Sequence, residues 1–421
     1  MSEWKECRLG EIVDVIDSLH QTPKYSNIGY PMVRVTDIKG GYLETGNTLK
    51  VDKHVFEVFS KKHKPKKGDI VMSRVGSYGI SCIVKNDINF CLGQNTLFLV
   101  PKQNPEFLYY FLNSPDAKSQ IESKATGTTQ KTISLKSIKE IKVCLPSIAL
   151  QTAIAEILSS LDDKIELNNK INQELETLAQ TLFKQWFIDF EFPNENGEPY
   201  KSSGGEMVES ELGEIPMGWT TEVLSETTKL IRGISYRKPE LVLEGEGVAF
   251  VNLKCFSITG AFRQDGIKYY NGKYKHEQIL TKNDILVAVT DLTQDREIIG
   301  MPILWNGGKT ALPSLDTCII RSETLELKNF LYYEFKTKRY KSRIIEHANG
   351  STVLHLSVKG LETYIFPLPN DEILVKWFAI IQPILETINS NINETYELSK
   401  TRDTLLPKLI SGELEINEIP S

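Results

Sequence analysis

The chain carries the same text twice at long range, and this limits the possible folds more than any local motif. FLYY occurs at residues 107–110 and again at 330–333, an offset of 223. The same offset aligns GTTQKTISLKSIKEIKVCLP (127–146) with GSTVLHLSVKGLETYIFPLP (350–369), with six identities in twenty and apolar residues mostly matched to apolar ones. Earlier in the chain the offset is 215, placing Trp4 on Trp219 and KKGDIVM (66–72) on TKNDILV (281–287). About eight extra residues therefore lie between 287 and 330. Solenoid repeats run roughly 20–50 residues, so a period this long means two copies of a whole domain. At 421 residues the chain is long enough to give each copy a core of its own.

Within each copy, short β-branched runs such as DIVMSRV, SCIVK, LFLV, DILVAV and TCII are broken by Gly, Asn and Asp, a strand pattern. Short helices around FLYYFLNS and its counterpart make the class α+β. Leu145-Pro146 and Leu368-Pro369 close the globular parts, because proline disfavours helix in the residue before it. A long helix-forming segment follows each. In the first, Ile154, Ile157, Leu161, Lys164, Asn168, Ile171, Leu175, Leu178 and Leu182 alternate spacings of three and four. In the second, Trp377, Ile381, Ile384, Ile388, Asn391, Thr395, Leu398, Arg402 and Leu405 alternate four and three. Both read as coiled-coil seams, with Leu161, Leu175, Ile384 and Leu398 as apolar positions and Asn168 and Asn391 as polar ones that fix register at some cost in stability. The expected architecture is two globular domains separated by two long antiparallel helices, related by an internal pseudo-twofold repeat. The other reading packs each helix on its own domain. Helices of about 40 residues would span roughly 60 Å. The expected boundaries are 1–147, a central helix 148–190, a polar linker 191–212, a second globular domain 213–369 and a C-terminal helix 370–412.

Charge is segregated along this plan. Lys and Arg outnumber Asp and Glu 21 to 15 in residues 1–147 and 20 to 18 in 213–369, but fall behind 4 to 13 in 148–212 and 4 to 9 in 370–421. The net charge of −6 thus does not argue against a polyanionic partner, since any basic surface would be local. The N-terminal MSEWKECRLGEI lacks the pattern of a leader, and no apolar run approaches a membrane span. A cytoplasmic protein without a membrane partner is expected. The six cysteines are scattered, which reads as buried free thiols.

With its duplicated plan and paired seams, the chain resembles the specificity subunit of type I restriction-modification systems. The residues carrying the resemblance are IKVCLPSIALQTAIAEILSSLDDKIELNNKINQELETLAQTLFKQWF and its looser C-terminal copy FPLPNDEILVKWFAIIQPILETINSNINETYELSKTRDTLLPKLISGEL. ELGEIPMGW (211–219) and WKECRLGEIVDVI are similar to the starts of the family's two target-recognition domains. The second copy departs from the first after Pro369, with NDEILVKWF in place of SIALQTAIA. The resemblance implies a non-catalytic subunit whose domains each read half of a bipartite double-stranded DNA target. It further implies helices that set the spacer and dock modification (adenine methyltransferase) subunits, with restriction subunits joining. The cofactor, S-adenosylmethionine, would sit in the modification subunits and none in this chain.

Candidate DNA contacts lie where framework strands match and loop residues differ. Residues 73–77, Ser-Arg-Val-Gly-Ser, align with Ala-Val-Thr-Asp-Leu at 288–292. In SRVGSYG, Arg74 can bond guanine in a bidentate way, with Ser77 and Tyr78 beside it. A strand-edge cap is the other reading of Arg74. Gln94 and Asn95 in LGQNT are amides suited to adenine, or a locally satisfied turn. Thr128, Gln130 and Lys131 in TGTTQK and Ser351 and Thr352 in NGSTVLH occupy equivalent loops suited to phosphate contacts. In the second copy the base-contact candidates are Arg232, Ser235, Tyr236 and Arg237 in RGISYRKP, and Thr290, Gln294 and Arg296 in TDLTQDRE. KKHKPKK (61–67) could lie along phosphates, but its counterpart HEQILTK is not similarly basic and a solvated connector is the better reading.

Catalytic motifs do not emerge. GGKT at 307–310 ends like a phosphate loop, but Ile303 stands where glycine is required. NPEF (104–107) only half resembles the NPP[YF] motif of adenine methyltransferases, and no metal-ligand spacing is present. The competing readings are a coiled-coil adaptor whose domains bind proteins and a self-sufficient restriction-modification enzyme, the latter opposed by the missing motifs.

Overall fold

A computed structural model describes residues 4–128, 130–292, 295–305, 309–350 and 353–416. The chain divides into two compact units, residues 1–166 with 397–421, and residues 167–396. Both are mixed helix and sheet.

The first unit is built on an antiparallel sheet in the order Val13–Asp17, Thr96–Pro101, Ile70–Ser73, Ser81–Ile83. Period-two alternation sends Ile70, Met72, Leu97 and Leu99 to one core, with the FLYY helix Pro105–Asn113, and Val71, Phe98 and Cys82 to another with Val33 and Phe90. Both faces are covered, which is why these strands are apolar throughout rather than alternating with polar residues. A smaller sheet runs Tyr25–Ser26, Lys50–Val51, Tyr30–Val33, Cys91–Leu92, its last pair parallel. The strand Lys5–Arg8 pairs with Lys142–Leu145, so the start of the unit is tied to the residues just before the long helix. Asn104 caps the FLYY helix by accepting from Phe107 N–H, and Pro105 occupies its first turn, the favoured place for proline.

The second unit repeats this order with Thr228–Arg232, Thr317–Ser322, Asp284–Ala288 and Pro302–Leu304. Its smaller sheet runs Leu241–Val242, Lys268–Tyr270, Val248–Val251, Ala311–Pro313, again with a parallel last pair. The strand Thr220–Val223 pairs with Ile365–Leu368. Residues 191–212, read from the sequence as a linker, pack on this unit: Phe192 is buried and stacks on Tyr200 at 4.6 Å and Trp219 at 5.4 Å. Two aromatics in a mostly polar stretch, Phe192 and Tyr200, anchor it on Trp219.

The central helix runs Ile148–Phe183 and continues into a wider turn at Lys184–Ile188; the C-terminal helix runs Asp371–Ser411. Pro383 and Pro407 lie inside the latter, so packing outweighs a penalty of about 3 kcal/mol per interior proline. In the first unit Ile154 and Leu158 share a core with Leu406, Leu409 and Ile410. There Asp162 takes Arg402 Nη1 at 2.6 Å and the Tyr110 hydroxyl at 2.8 Å. In the second unit Asn168 Nδ2 donates to Glu394 at 2.8 Å, and Asn391 Nδ2 to Asn172 Oδ1 at 2.8 Å. Within each unit, then, rising numbers on one helix meet falling numbers on the other. The two asparagines of the repeat do not meet each other; each joins a neighbouring polar layer. Leu161, Leu175, Ile384 and Leu398 are half-buried.

Cys82, Cys91, Cys255 and Cys318 are buried free thiols, and burial pushes Cys91 and Cys318 up to about 12. Cys7 is half-buried, and Cys144 corrects the expectation, standing exposed on the outer face of Lys142–Leu145. Among the described residues no helix is long and apolar enough to cross a membrane.

Candidate nucleic-acid interface

In the first unit three segments far apart in sequence are joined through their backbones. Arg74 N–H donates to Asn95 O at 2.8 Å, Ile133 N–H to Arg74 O at 3.0 Å, and Gly76 N–H to Lys131 O at 3.1 Å. Arg74, Ser77, Tyr78, Gln94, Asn95, Thr128, Gln130 and Lys131 therefore come together as one cluster of loops. The turn after Ser73 closes through Gly79 N–H to Ser73 O at 2.8 Å. Gly79 has φ +78°, and a Cβ there would stand 2.7 Å from Ile121. Thr96 Oγ1 donates to Gly93 O at 2.7 Å and fixes the second turn, leaving Gln94 exposed and Asn95 in the left-handed region at φ 66°.

Arg74 is tied to the end of the edge strand Val13–Asp17. Its Nη1 bonds Asp17 Oδ1 at 2.7 Å and its Nε reaches Ile133 O at 3.4 Å, with the side chain 14% exposed. Asp17, a residue the sequence reading did not select, also meets His20 Nε2 at 3.0 Å, and its carbonyl accepts from Lys62 Nζ at 3.2 Å. The segment 61–67 thus begins beside this cluster, and His63 within it bonds buried Asp69 at 2.6 Å. Glu122 holds both the Lys131 ammonium and the Tyr78 hydroxyl. These partners keep the Glu122 carboxyl below its usual range and raise Lys131. Ser77, Thr128, Gln130 and Lys131 are exposed.

The second unit preserves the frame bond for bond. Ser18 N–H to Thr96 O becomes Gly233 N–H to Thr317 O, and Arg74 N–H to Asn95 O becomes Val289 N–H to Asp316 O. Ile133 N–H to Arg74 O becomes Leu356 N–H to Val289 O. A Cβ at Gly233 would lie 1.8 Å from Ser314 O, so only glycine allows this approach. Arg232, Ser235, Arg237 and Arg296 are exposed, Arg296 with φ 57°. Tyr236 is half-buried, its ring edge-on to Phe250 at 5.2 Å. Thr290, expected to touch a base, is instead buried at 4% exposure, its hydroxyl 3.5 Å from His355 Nδ1. It lies in a two-residue strand paired with Leu354–Leu356, so the strand ladder claims it. Buried Asp291 next to it accepts from Ile298 and Ile299 N–H at 2.9 and 3.3 Å and shapes the loop that carries Arg296. Gln294, Ser351 and Thr352, and Gly307 and Gly308 of GGKT, lie outside the described residues.

Residues 1–177 match the family described as type I restriction modification DNA specificity domain. The type I restriction enzyme MjaIX specificity subunit of Methanocaldococcus jannaschii is 28% identical, over 84% of this chain and 79% of its own. The HindI specificity subunit of Haemophilus influenzae is 25% identical over 98% of this chain and 100% of its own. Among solved structures, the type I restriction-modification S subunit from M. genitalium shares the fold, with a TM-score of 0.60 and 18% identity, covering 97% of this chain and 96% of that one. The first 177 residues thus match the type I DNA specificity domain, and the chain as a whole is similar to type I restriction enzyme specificity subunits almost end to end.

Proposed function

We propose that the chain is the DNA sequence-recognition subunit of a type I restriction-modification enzyme, each unit reading one half of a bipartite target. The observation that carries this is the common backbone frame that joins three distant loops in both units while the exposed side chains on it differ. Framework bonds position; unlike loop chemistry specifies unlike half-sites.

The globular parts, 1–147 and 213–369, act as the target-recognition domains. The central and C-terminal helices form the antiparallel coiled coil that sets the distance between half-sites, since two readers held by one scaffold have their spacing dictated by protein geometry. The polar layers at Asn168 with Glu394 and Asn172 with Asn391, and the Asp162–Arg402 pair, support that reading. The helices also dock modification subunits, which hold S-adenosylmethionine and flip the target adenine out of the duplex; restriction subunits complete the assembly in the cytoplasm. This chain contributes address and spacing and is not itself an enzyme.

Mapping modified adenines by single-molecule sequencing, with and without this gene, tests the proposal. Loss of methylation at one gapped bipartite motif is expected. Unchanged methylation with the partner methyltransferase active would favour a protein-binding adaptor, whose complexes would lack salt-steep, sequence-selective DNA affinity.

A further inference from the structure

In the two hydrogen-bonded frames Asp17 holds the place of Arg232 and Arg74 that of Val289, both at the offset of 215. The cation has therefore changed places: in the first unit it stands on the turn and the acid ends the first strand, while in the second an arginine ends that strand and the turn carries an apolar residue. We propose that this junction is the guanine-reading centre of each unit, served by Arg74 with Asp17 as its positioning residue in the first and by Arg232 in the second. The inference rests on the DNA-recognition reading given above.

A carboxylate is a poor choice for a face that meets phosphates unless it is neutralised and has a task. Asp17 satisfies both conditions. Its two oxygens take Arg74 Nη1 at 2.7 Å and His20 Nε2 at 3.0 Å, and the side chain is only 18% exposed. With Nη1 on Asp17 and Nε toward Ile133 O, the guanidinium plane is set from behind. A guanidinium has five N–H donors in a fixed fork, so the remaining N–H groups on Nη1 and Nη2 are available to O6 and N7 of a guanine. Holding the arginine before DNA arrives removes the rotamer entropy it would otherwise lose on binding. Exposed Ser77 and Gln94 flank it on the same stitched loops.

The second unit lacks this support. Arg232 is exposed and has no ion pair among the described residues, and the matched turn offers Val289, 8% exposed. The places of Ser77 and Gln94 are taken by Leu292 and Leu315, which are 68% and 52% exposed. Arg232 is ordered only by its target, so its guanine is read with less stringency than the one facing Arg74.

The test uses the assembled methyltransferase complex on a library of DNA randomised at both half-sites, with modified adenines read by sequencing. Arg74→Gln is expected to relax one guanine position in one half-site, lowering discrimination on the order of 5- to 150-fold, with the other half-site untouched. Asp17→Asn relaxes that same position to a smaller degree, which a purely structural ion pair would not do. Arg232→Gln relaxes one guanine in the other half-site. Arg74→Lys keeps the charge and the pairing to Asp17 but loses the fork, and gives the same readout should Arg74→Gln fold poorly by thermal melting. Folded Arg74→Lys and Arg232→Gln complexes that retain both wild-type half-sites would overturn the inference while leaving the DNA-recognition reading intact. A wild-type complex that methylates without sequence preference overturns both.

Discussion

Asn168→Val should raise the stability of the second unit. Asn168 is fully buried, donates to Glu394 at 2.8 Å, and leaves its own Oδ1 without a hydrogen-bond partner. An unsatisfied buried acceptor costs about 1–3 kcal/mol, and burying a valine side chain contributes about 1.5–3 kcal/mol. Against these stands the lost bond to a carboxylate, at most about 1.5–3 kcal/mol, and at the low end because Glu394 is solvent-exposed and is rehydrated on release. Valine and asparagine have similar helix propensity, so that contribution cancels. The net gain is about 2 kcal/mol. The unit spans residues 167–396, a size for which each kcal/mol moves Tm by about 2–4 °C, so differential scanning calorimetry should show its transition rising by about 4–8 °C. A fall in Tm would refute the reasoning, because it would mean that the Glu394 bond outweighs the orphaned carbonyl and that Asn168 is there for stability rather than register.

Two buried charges give further tests. Glu334 is inaccessible to solvent and is held by Arg339 Nη2 at 2.8 Å and by the Tyr364 hydroxyl; Arg339→Met should cost about 3–5 kcal/mol by leaving the carboxylate unpaired. Burial already raises the Glu334 carboxyl despite Arg339. Its folded form therefore favours the proton, and the deficit in the variant should grow as pH rises and shrink toward acid, as urea titrations at several pH values will show. An equal deficit at all pH values would contradict this. Lys328, 7% exposed, donates to Lys282 O at 3.3 Å, and burial lowers it from its ordinary 10.5 to about 8. Between those values the unfolded chain holds more protons, so wild-type stability should rise by about 3 kcal/mol from pH 8 to 10.5. Lys328→Met should be more stable at pH 7 and lose most of that rise; a parallel pH curve for the two proteins would rule out Lys328 as its source.

What the sequence made legible follows from what repeats. The strand frame, the FLYY helices and the seams are held by local period and by residues that both copies keep, so an alignment of the chain with itself finds them. The loops of Arg74, Asn95 and Lys131 stand out one by one, because apolar frame and variable loop separate cleanly there, but that they meet in one cluster is not legible, since the bonds joining them link residues distant in sequence. The role of Asp17 was not, since its partner is 57 residues away and nothing local marks the end of one strand as the neighbour of a turn after another. Thr290 was misread because a two-residue strand carries no periodicity, and its ladder partner His355 lies 65 residues on. Asn168 and Asn391 hold equivalent places in the repeat, yet where one helix rises in number as the other falls only the residues at the midpoint of the pairing face their own equivalents; these two stand just off it, and each meets a different partner, Glu394 and Asn172.

The matched frames carry a last consequence. Because these loops are held by backbone bonds, Arg74 N–H to Asn95 O and Val289 N–H to Asp316 O, the frame itself does not depend on which side chains stand at the two positions, although Val289 also packs in the core of its unit. The first unit's centre should then be transferable to the second by Arg232→Asp with Val289→Arg. Val289→Arg alone places a second guanidinium at a position only 8% exposed and beside Arg232 in the frame, which combines desolvation with like-charge repulsion. Arg232→Asp alone puts an uncompensated acid on the face. Together they recreate the pair of Asp17 and Arg74, so a double-mutant cycle on thermal stability should show favourable coupling of about 1–3 kcal/mol. The double variant should also tighten the guanine read by the second unit toward the stringency of the first. Additivity within about 0.5 kcal/mol would mean that the two positions do not meet, and that the shared backbone frame does not bring with it a shared side-chain geometry.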